Sequence, residues 1–304
     1  MLTEGELSPI YICGSTATGK TGVSISLANL LDGEIINGDA YQIYKGLDII
    51  TAAPSADEQV QAPHHLFGII EPTQDFDAKQ YLDLVTPTIE SIQARGKTPI
   101  IVGGSGMYLK CLTHGLSPVP AGDDSLREEL ELLEDKELVA KLEQLDPIGA
   151  TQTNLENRRF VIRALEICIL SGKPMSQLKT SWANISAEKE KHLRGFVLDW
   201  DRDTLRERIA LRTKMMIQQG AIDEVKSHSS LSNTCEKAIG VRDIRRHLNN
   251  EITLERCEEL IYFATCQYAK RQRTWFKREQ WLTHIPTDAS MNGSDLANVI
   301  SGQL

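Results

Sequence analysis

Residues 14–21 read Gly-Ser-Thr-Ala-Thr-Gly-Lys-Thr, the spacing G-x-x-x-x-G-K-[ST] of a phosphate-binding loop. No other stretch restricts the fold as much, because such a loop works only between a strand and a helix. Pro9 to Cys13 supplies a short apolar strand, and Val23 to Leu31 supplies the helix. Gly14 and Gly19 let the main chain curl so that successive N–H groups face one concavity, and the helix N-terminus adds partial positive charge to the same spot. Ser15, Thr16, Ala17 and Thr18 complete the cradle. Lys20 brings a point charge for the terminal phosphates, and Thr21 a hydroxyl for Mg²⁺. Chance produces the pattern in roughly one chain per hundred of this length. The loop implies a bound di- or triphosphate and leaves open what is done with it.

Strand and helix signals alternate around this loop. Glu34 to Asn37 reads as a second strand leading to Asp39, and Leu66 to Ile70 as a third. Thr98 to Val102 reads as a buried strand closed by Gly103-Gly104-Ser105-Gly106. Helical spacing runs from Phe76 to Arg95 and from Met107 to Leu112. This rhythm predicts an α/β fold with a P-loop NTPase-like parallel sheet covered by helices. Ligands of such sheets sit outside the carboxyl ends of the strands, where the loop, Asp39 and Ser105 all fall. After Leu116 to Pro120 the pattern is helical from Ser125 to Lys191. The predicted organisation is therefore a first part of the core over 1–118, an all-helical insertion over 119–193, and completion of the core over 194–304. In that last part Gly195 to Leu198 and Trp281 to Ile285 read as strands. Thr204 to Gln219, Cys235 to Leu248 and Leu254 to Arg278 read as helices, and Asp288 to Leu304 as a polar, loosely held tail.

Composition bears on the partner. The net charge of −9 gives no reason to expect a nucleic acid. Its distribution does, because residues 1–94 hold thirteen Asp and Glu against three Lys and no Arg, and every Arg comes later. A polyanion would meet the later part of the chain first. The six Cys occur singly, without a C-x-x-C pair, so neither a zinc site nor a disulfide framework is suggested. His64-His65 lacks further spaced ligands. There is no apolar signal segment or membrane-spanning run, and a cytoplasmic monomer is expected.

Four stretches carry candidate chemistry. Asp39, at a strand end beside the loop, has the position of a Mg²⁺ ligand or a general base, and equally of a turn residue. Ser105 lies in a second Gly-rich turn before a helix, either a phosphate contact or simply a tight turn. Arg159 and Arg163 share a helix face with acidic neighbours Glu156 and Glu166. In Tyr268 to Arg278, five cations flank Trp275 and Phe276. That composition suits a surface that tracks a nucleic-acid backbone, and also an amphipathic helix with Trp275 in the core.

Together these stretches resemble one family, the tRNA dimethylallyltransferases, over about residues 9–280. The resemblance rests on the loop and on Asp39 with Gln42 and Tyr44. It continues through Thr51-Ala52 with Pro54, Pro63-His64-His65, Gly103-Gly104 with Tyr108, and Gly115-Leu116. Arg163-Ala164-Leu165-Glu166, Gly172-Lys173, Arg208, Gly220, Gly240 and Lys270-Arg271-Gln272 with Thr274-Trp275 complete it. It implies transfer of a dimethylallyl group from dimethylallyl diphosphate, with Mg²⁺, to N6 of the adenosine next to the anticodon of tRNA. Asp39 matches the family's base and Ser105 its second-turn hydroxyl, with Lys20 on the leaving group. Matches to tRNA-contacting positions are Asp39, Ala40, Tyr41, Gln42, Ser105, Arg127, Arg159, Arg163, Lys237, Arg242, Lys270, Arg271, Gln272 and Lys277. Ala40, Ala53, Ser105, Phe160 and Val241 depart from the usual Ser, Lys, Thr, Arg and Tyr, and nothing matches the zinc finger of eukaryotic members.

Two other classes stand beside this one. A P-loop small-molecule kinase has no need for the basic stretch Lys270 to Arg278. A GTPase-type switch needs an N-K-x-D base-reading motif, which the sequence lacks.

Overall fold

The computed structural model describes residues 7–116 and 119–304. The chain divides into two compact units, one of residues up to Thr113 and from Leu193 onward, the other His114–His192. The second unit, His114–His192, begins earlier than the insertion expected over 119–193. Residues 117 and 118 lie outside the described residues, as do Glu4 and Glu6 at the N-terminus.

The first unit is built on a six-stranded, all-parallel sheet of the order β3-β2-β4-β1-β5-β6 among the described residues. The strands are β1 (Ile10–Gly14), β2 (Gly33–Asn37), β3 (His64–His65), β4 (Thr98–Gly103), β5 (Arg194–Trp200) and β6 (Leu282–Thr287). Alternation along each strand sends successive side chains to opposite faces. Ile10, Ile12, Ile35, Ile100, Val102, Phe196 and Leu198 fill one layer of the core. Tyr11, Cys13, Ile36, Ile101 and Val197 fill the other. Both faces are covered, which is why β1 and the middle of β4 are apolar without a polar side, and why even Glu34 and Asn37 of β2 are buried.

Helices α1 (Lys20–Leu31), α2 (Asp48–Thr51), α3 (Ala56–Gln59), α4 (Ala78–Ala94) and α5 (Gly106–His114) connect the first strands. The second unit holds α6 (Asp124–Glu131), α7 (Asp135–Leu145), α8 (Pro147–Gln152), α9 (Arg158–Ser171) and α10 (Met175–Glu190) around Leu138, Leu142, Val161 and Leu165. Asp146-Pro147-Ile148-Gly149 is structural, since Asp146 is buried and accepts from Gly149 N and from Ser176 N and Oγ. The first unit then resumes with α11 (Arg202–Gln218), α12 (Ala221–Ser227), α13 (Val241–Leu248), α14 (Leu254–Phe276) and α15 (Gly293–Ser301).

Three sequence-based expectations change. The third strand is His64–His65 and stops there, because Leu66 and Gly68 turn into the left-handed region at φ 64° and 57°. The helix expected over Cys235–Leu248 is broken: one 3₁₀ turn, Cys235–Lys237, precedes α13, and Gly240 at φ 96° separates them. The tail after Asp288 is held, not loose. Asn292 caps α15, whose Leu296, Ala297 and Ile300 are buried in the layer that contains α1. Helix α1 meets it closely, for a Cβ on Gly293 would lie 2.8 Å from the Gly22 backbone.

Candidate active site

The carboxyl ends of β2, β4 and β1 are neighbours in the sheet, so the three stretches that follow them converge. The loop after β1 starts α1 on Gly19, which at φ 89° is in the conformation that disfavours side chains. Its carbonyl groups are capped from outside. Lys20 Nζ donates to Gly14 O at 3.1 Å and Ser15 O at 2.9 Å, and Thr18 Oγ1 donates to Ser15 O. Arg208 Nε donates to Ala17 O at 2.8 Å and Trp200 Nε1 to Thr18 O at 3.0 Å. The Arg208 guanidinium lies 4.2 Å above the Trp200 ring. Capping the carbonyls leaves the loop biased toward anions through its N–H groups.

Gln272, on α14, joins this loop to the second turn. Its Oε1 accepts from Thr16 N at 2.9 Å, and its Nε2 donates to Gly104 O at 2.9 Å. A Cβ on residue 104 would lie 2.2 Å from Gln272 Nε2, so glycine is required for the approach. Gln272 is buried with both ends of its amide engaged, so the fold gives it a positioning role where the sequence resemblance implied a tRNA contact.

Asp39 and Ser105 are tied together. Asp39 N donates to Asn37 Oδ1, and Asp39 Oδ1 accepts from Tyr41 N at 2.9 Å. The turn reading of Asp39 thus holds for one oxygen, while the other has no hydrogen bond to a described residue. Ser105 Oγ accepts from Ala40 N at 2.9 Å. Gln42 Nε2 donates to Thr51 O and Ala52 O, which holds the wall of the cleft in place.

These groups border a cleft of about 1150 Å³ within the first unit. Lys20, Asp39 and Tyr268 line it, together with Arg212, which sequence reasoning missed. Burial pushes the Lys20 ammonium down to about 8, against the pull of the Asp39 carboxylate, and Arg212 adds to the depression. Burial also lowers Arg212, with Asp39 acting the other way. Arg212 makes no hydrogen bond to another described residue. Two half-buried cations against the single carboxylate of Asp39 leave this part of the cleft net positive and ready for an anion. A signal was available: Arg208 and Arg212 are four residues apart and share a face of α11. Thr21, in the first turn of α1, also has no hydrogen bond from its hydroxyl to a described residue. It offers one hard oxygen to a cation, and no group of three His, Cys, Asp or Glu side chains surrounds the loop among the described residues.

The remaining candidates lie on surfaces. Lys270, Arg271 and Lys277 are exposed along α14, with Arg271 5.7 Å from the Tyr268 ring, while Ala269, Gln272 and Phe276 face inward. The helix has an exposed basic face and a buried face. Trp275 is half-buried against Gly106, where a Cβ would lie 2.6 Å from the indole. Lys237 and Arg242 are exposed before and at the start of α13. In the second unit, Arg159 is exposed, but Arg127 and Arg163 serve a buried carboxylate. Glu166 accepts from Arg163, from Arg127 at 3.0 Å and from Asp123 N at 2.7 Å. Burial pushes the Glu166 carboxyl up, and these partners outweigh it and hold it below the usual range. Arg163→Ala is expected to lower stability by about 1–3 kcal/mol, the cost of stripping a partner from a buried charge. Denaturant unfolding measures it, and an unchanged midpoint would mean that Arg127 and Asp123 suffice.

A family model described as IPP transferase matches residues 42–279. The tRNA dimethylallyltransferase of Akkermansia muciniphila is 42% identical over 97% of this chain and 99% of its own length. That of Bacillus subtilis is 37% identical over 97% of each. Among solved structures, the full-length tRNA isopentenylpyrophosphate transferase of Bacillus halodurans superposes with a TM-score of 0.71 at 34% identity, covering 98% of this chain and 97% of that one. A eukaryotic dimethylallyltransferase acting on tRNA gives 0.77 at 28% identity, over 97% of this chain and 78% of that one. With a family model over most of its length and relatives this similar end to end, the chain belongs to the IPP transferase family, the tRNA dimethylallyltransferases.

Proposed function

We propose that the chain, as a cytoplasmic monomer, transfers the dimethylallyl group of dimethylallyl diphosphate to N6 of the adenosine 3′-adjacent to the anticodon of tRNA, releasing pyrophosphate. The observation that carries this reading is Gln272, which bonds the helix bearing Lys270 and Arg271 directly to both Gly-rich turns. A small-molecule kinase needs no such link between a phosphate site and a basic surface, and family membership does not favour one.

The loop N–H groups, Lys20 and Arg212 hold the diphosphate. N6 attacks C1, the N6–C1 bond forms, and the C1–O bond breaks with its electron pair leaving on pyrophosphate. The oxygen of Asp39 that is not held by Tyr41 takes the proton from N6. The adenine leaves its stack to reach this point. The Thr21 hydroxyl and the diphosphate oxygens would hold Mg²⁺, a hard cation suited to such donors, and the ion when bound neutralises charge on the diphosphate. The test is incubation with dimethylallyl diphosphate, Mg²⁺ and an unmodified anticodon stem-loop, followed by nucleoside mass measurement. Phosphorylation of a small acceptor with ATP, and no prenylated adenosine, would replace this reading.

The exposed cations of α14 supply tRNA affinity. Arg271→Ala is expected to weaken stem-loop binding and to reduce its salt slope by about one unit, with dimethylallyl diphosphate affinity little changed. A salt titration of binding checks this. An unchanged slope would remove Arg271 from the tRNA path.

A further inference from the structure

Helix α11 changes character along the cleft. Arg208 sits against the phosphate loop through Ala17 O, and Arg212, one turn on, interacts with Lys20 and Asp39. One more turn brings Met216, which lines the same cleft. Each of these steps advances about 6 Å along the helix. The cation end of the cleft thus passes into an apolar floor within the reach of a short prenyl tail.

That floor is braced. Met216, Ile50, Ala238 and Ile261 line the cleft and are buried in one core cluster. Ile50 and Ile261 converge beside Gly240, where a Cβ would lie 2.8 Å and 3.3 Å from their Cδ1 atoms. Glu224 fixes the strip that carries Ile50, since its two carboxylate oxygens accept from Ile49 N and Ile50 N at 2.8 Å each. A densely packed wall cannot stretch to admit an extra isoprene unit without displacing side chains.

Resting on the proposed activity, we infer that Met216 is a specificity-determining residue: its side chain ends the prenyl-tail pocket and limits the donor to a five-carbon diphosphate. Met is the movable member of this floor, being unbranched, while Ile50 and Ile261 are pinned. The terminal methyl groups of the dimethylallyl tail would rest on it, with C1 held back at the level of Arg212 and Asp39. A geranyl chain would have to push through Met216.

The test compares dimethylallyl and geranyl diphosphates as donors to the anticodon stem-loop, with pyrophosphate binding as the measure of an intact loop. The unaltered chain should prefer the five-carbon donor. In Met216→Ala, the ratio of kcat/KM for geranyl over dimethylallyl should rise at least tenfold, since pocket fit of this kind is worth roughly 10–200-fold. Met216→Phe is the second arm, filling the floor where alanine empties it. It should raise KM for dimethylallyl diphosphate while pyrophosphate still binds. A wild-type donor ratio in Met216→Ala with pyrophosphate binding intact, or an unchanged KM in Met216→Phe, overturns the inference and leaves the proposed activity standing. If the unaltered chain transfers no prenyl group from either donor, the proposed activity falls and the inference falls with it.

Discussion

Asp39→Asn is expected to abolish prenyl transfer while stem-loop binding persists. The amide keeps the size of the side chain, and its oxygen still accepts from Tyr41 N, so the turn after β2 survives. What is lost is the second oxygen as a proton acceptor. Removal of a general base costs on the order of 10²–10⁴-fold in rate. Single-turnover prenylation at saturating donor isolates the chemical step. A rate within tenfold of wild type would falsify the assignment of Asp39 as base and leave it a turn residue.

Lys20→Ala is the second large effect, on the order of 10²–10³-fold in kcat. Negative charge builds on pyrophosphate as the C1–O bond breaks, and a half-buried ammonium acts on it with little screening. Lys20 also gives a pH signature. Its pKa of about 8 in the protein alone means that much of it is neutral above pH 8. An arriving diphosphate favours the ammonium form, so binding takes up a proton there, and affinity declines as pH rises further. Calorimetry at pH 8–9 in two buffers of different ionisation enthalpy reads the uptake, which should vanish in Lys20→Ala. An uptake equal in both proteins would place the titrating group elsewhere.

What the sequence made legible was local. The loop is a spacing of glycines, and β1 and β4 carry continuous apolar runs, so both could be read without knowing what they touch. Asp39 and Ser105 followed from the rule that parallel strands present their carboxyl ends to ligands. Arg212 was missed although it shares a face of α11 with Arg208, because that spacing alone does not say what the face meets. Only the packing of α11 brings it opposite Asp39. Helix α15 was missed for a related reason, since a short segment with three buried residues shows its purpose only against α1. Arg163 shows the converse. The resemblance implied a tRNA contact while its acidic neighbours implied pairing, and the fold pairs it with Glu166.

The strand order has a consequence for how the chain is made. Strand β1 is interior to the sheet, and its two neighbours are β4 and β5, with Ile10 opposite Ile100 on one side and Arg194 on the other. The whole second unit therefore intervenes before β1 gains its second partner, and β6 adds to β5 later still. Such distant pairings slow folding, because loop closure precedes the contacts that reward it. During synthesis, the phosphate loop emerges near the start and waits on a half-sheet whose edge is β1, an apolar strand open to wrong partners until β5 arrives.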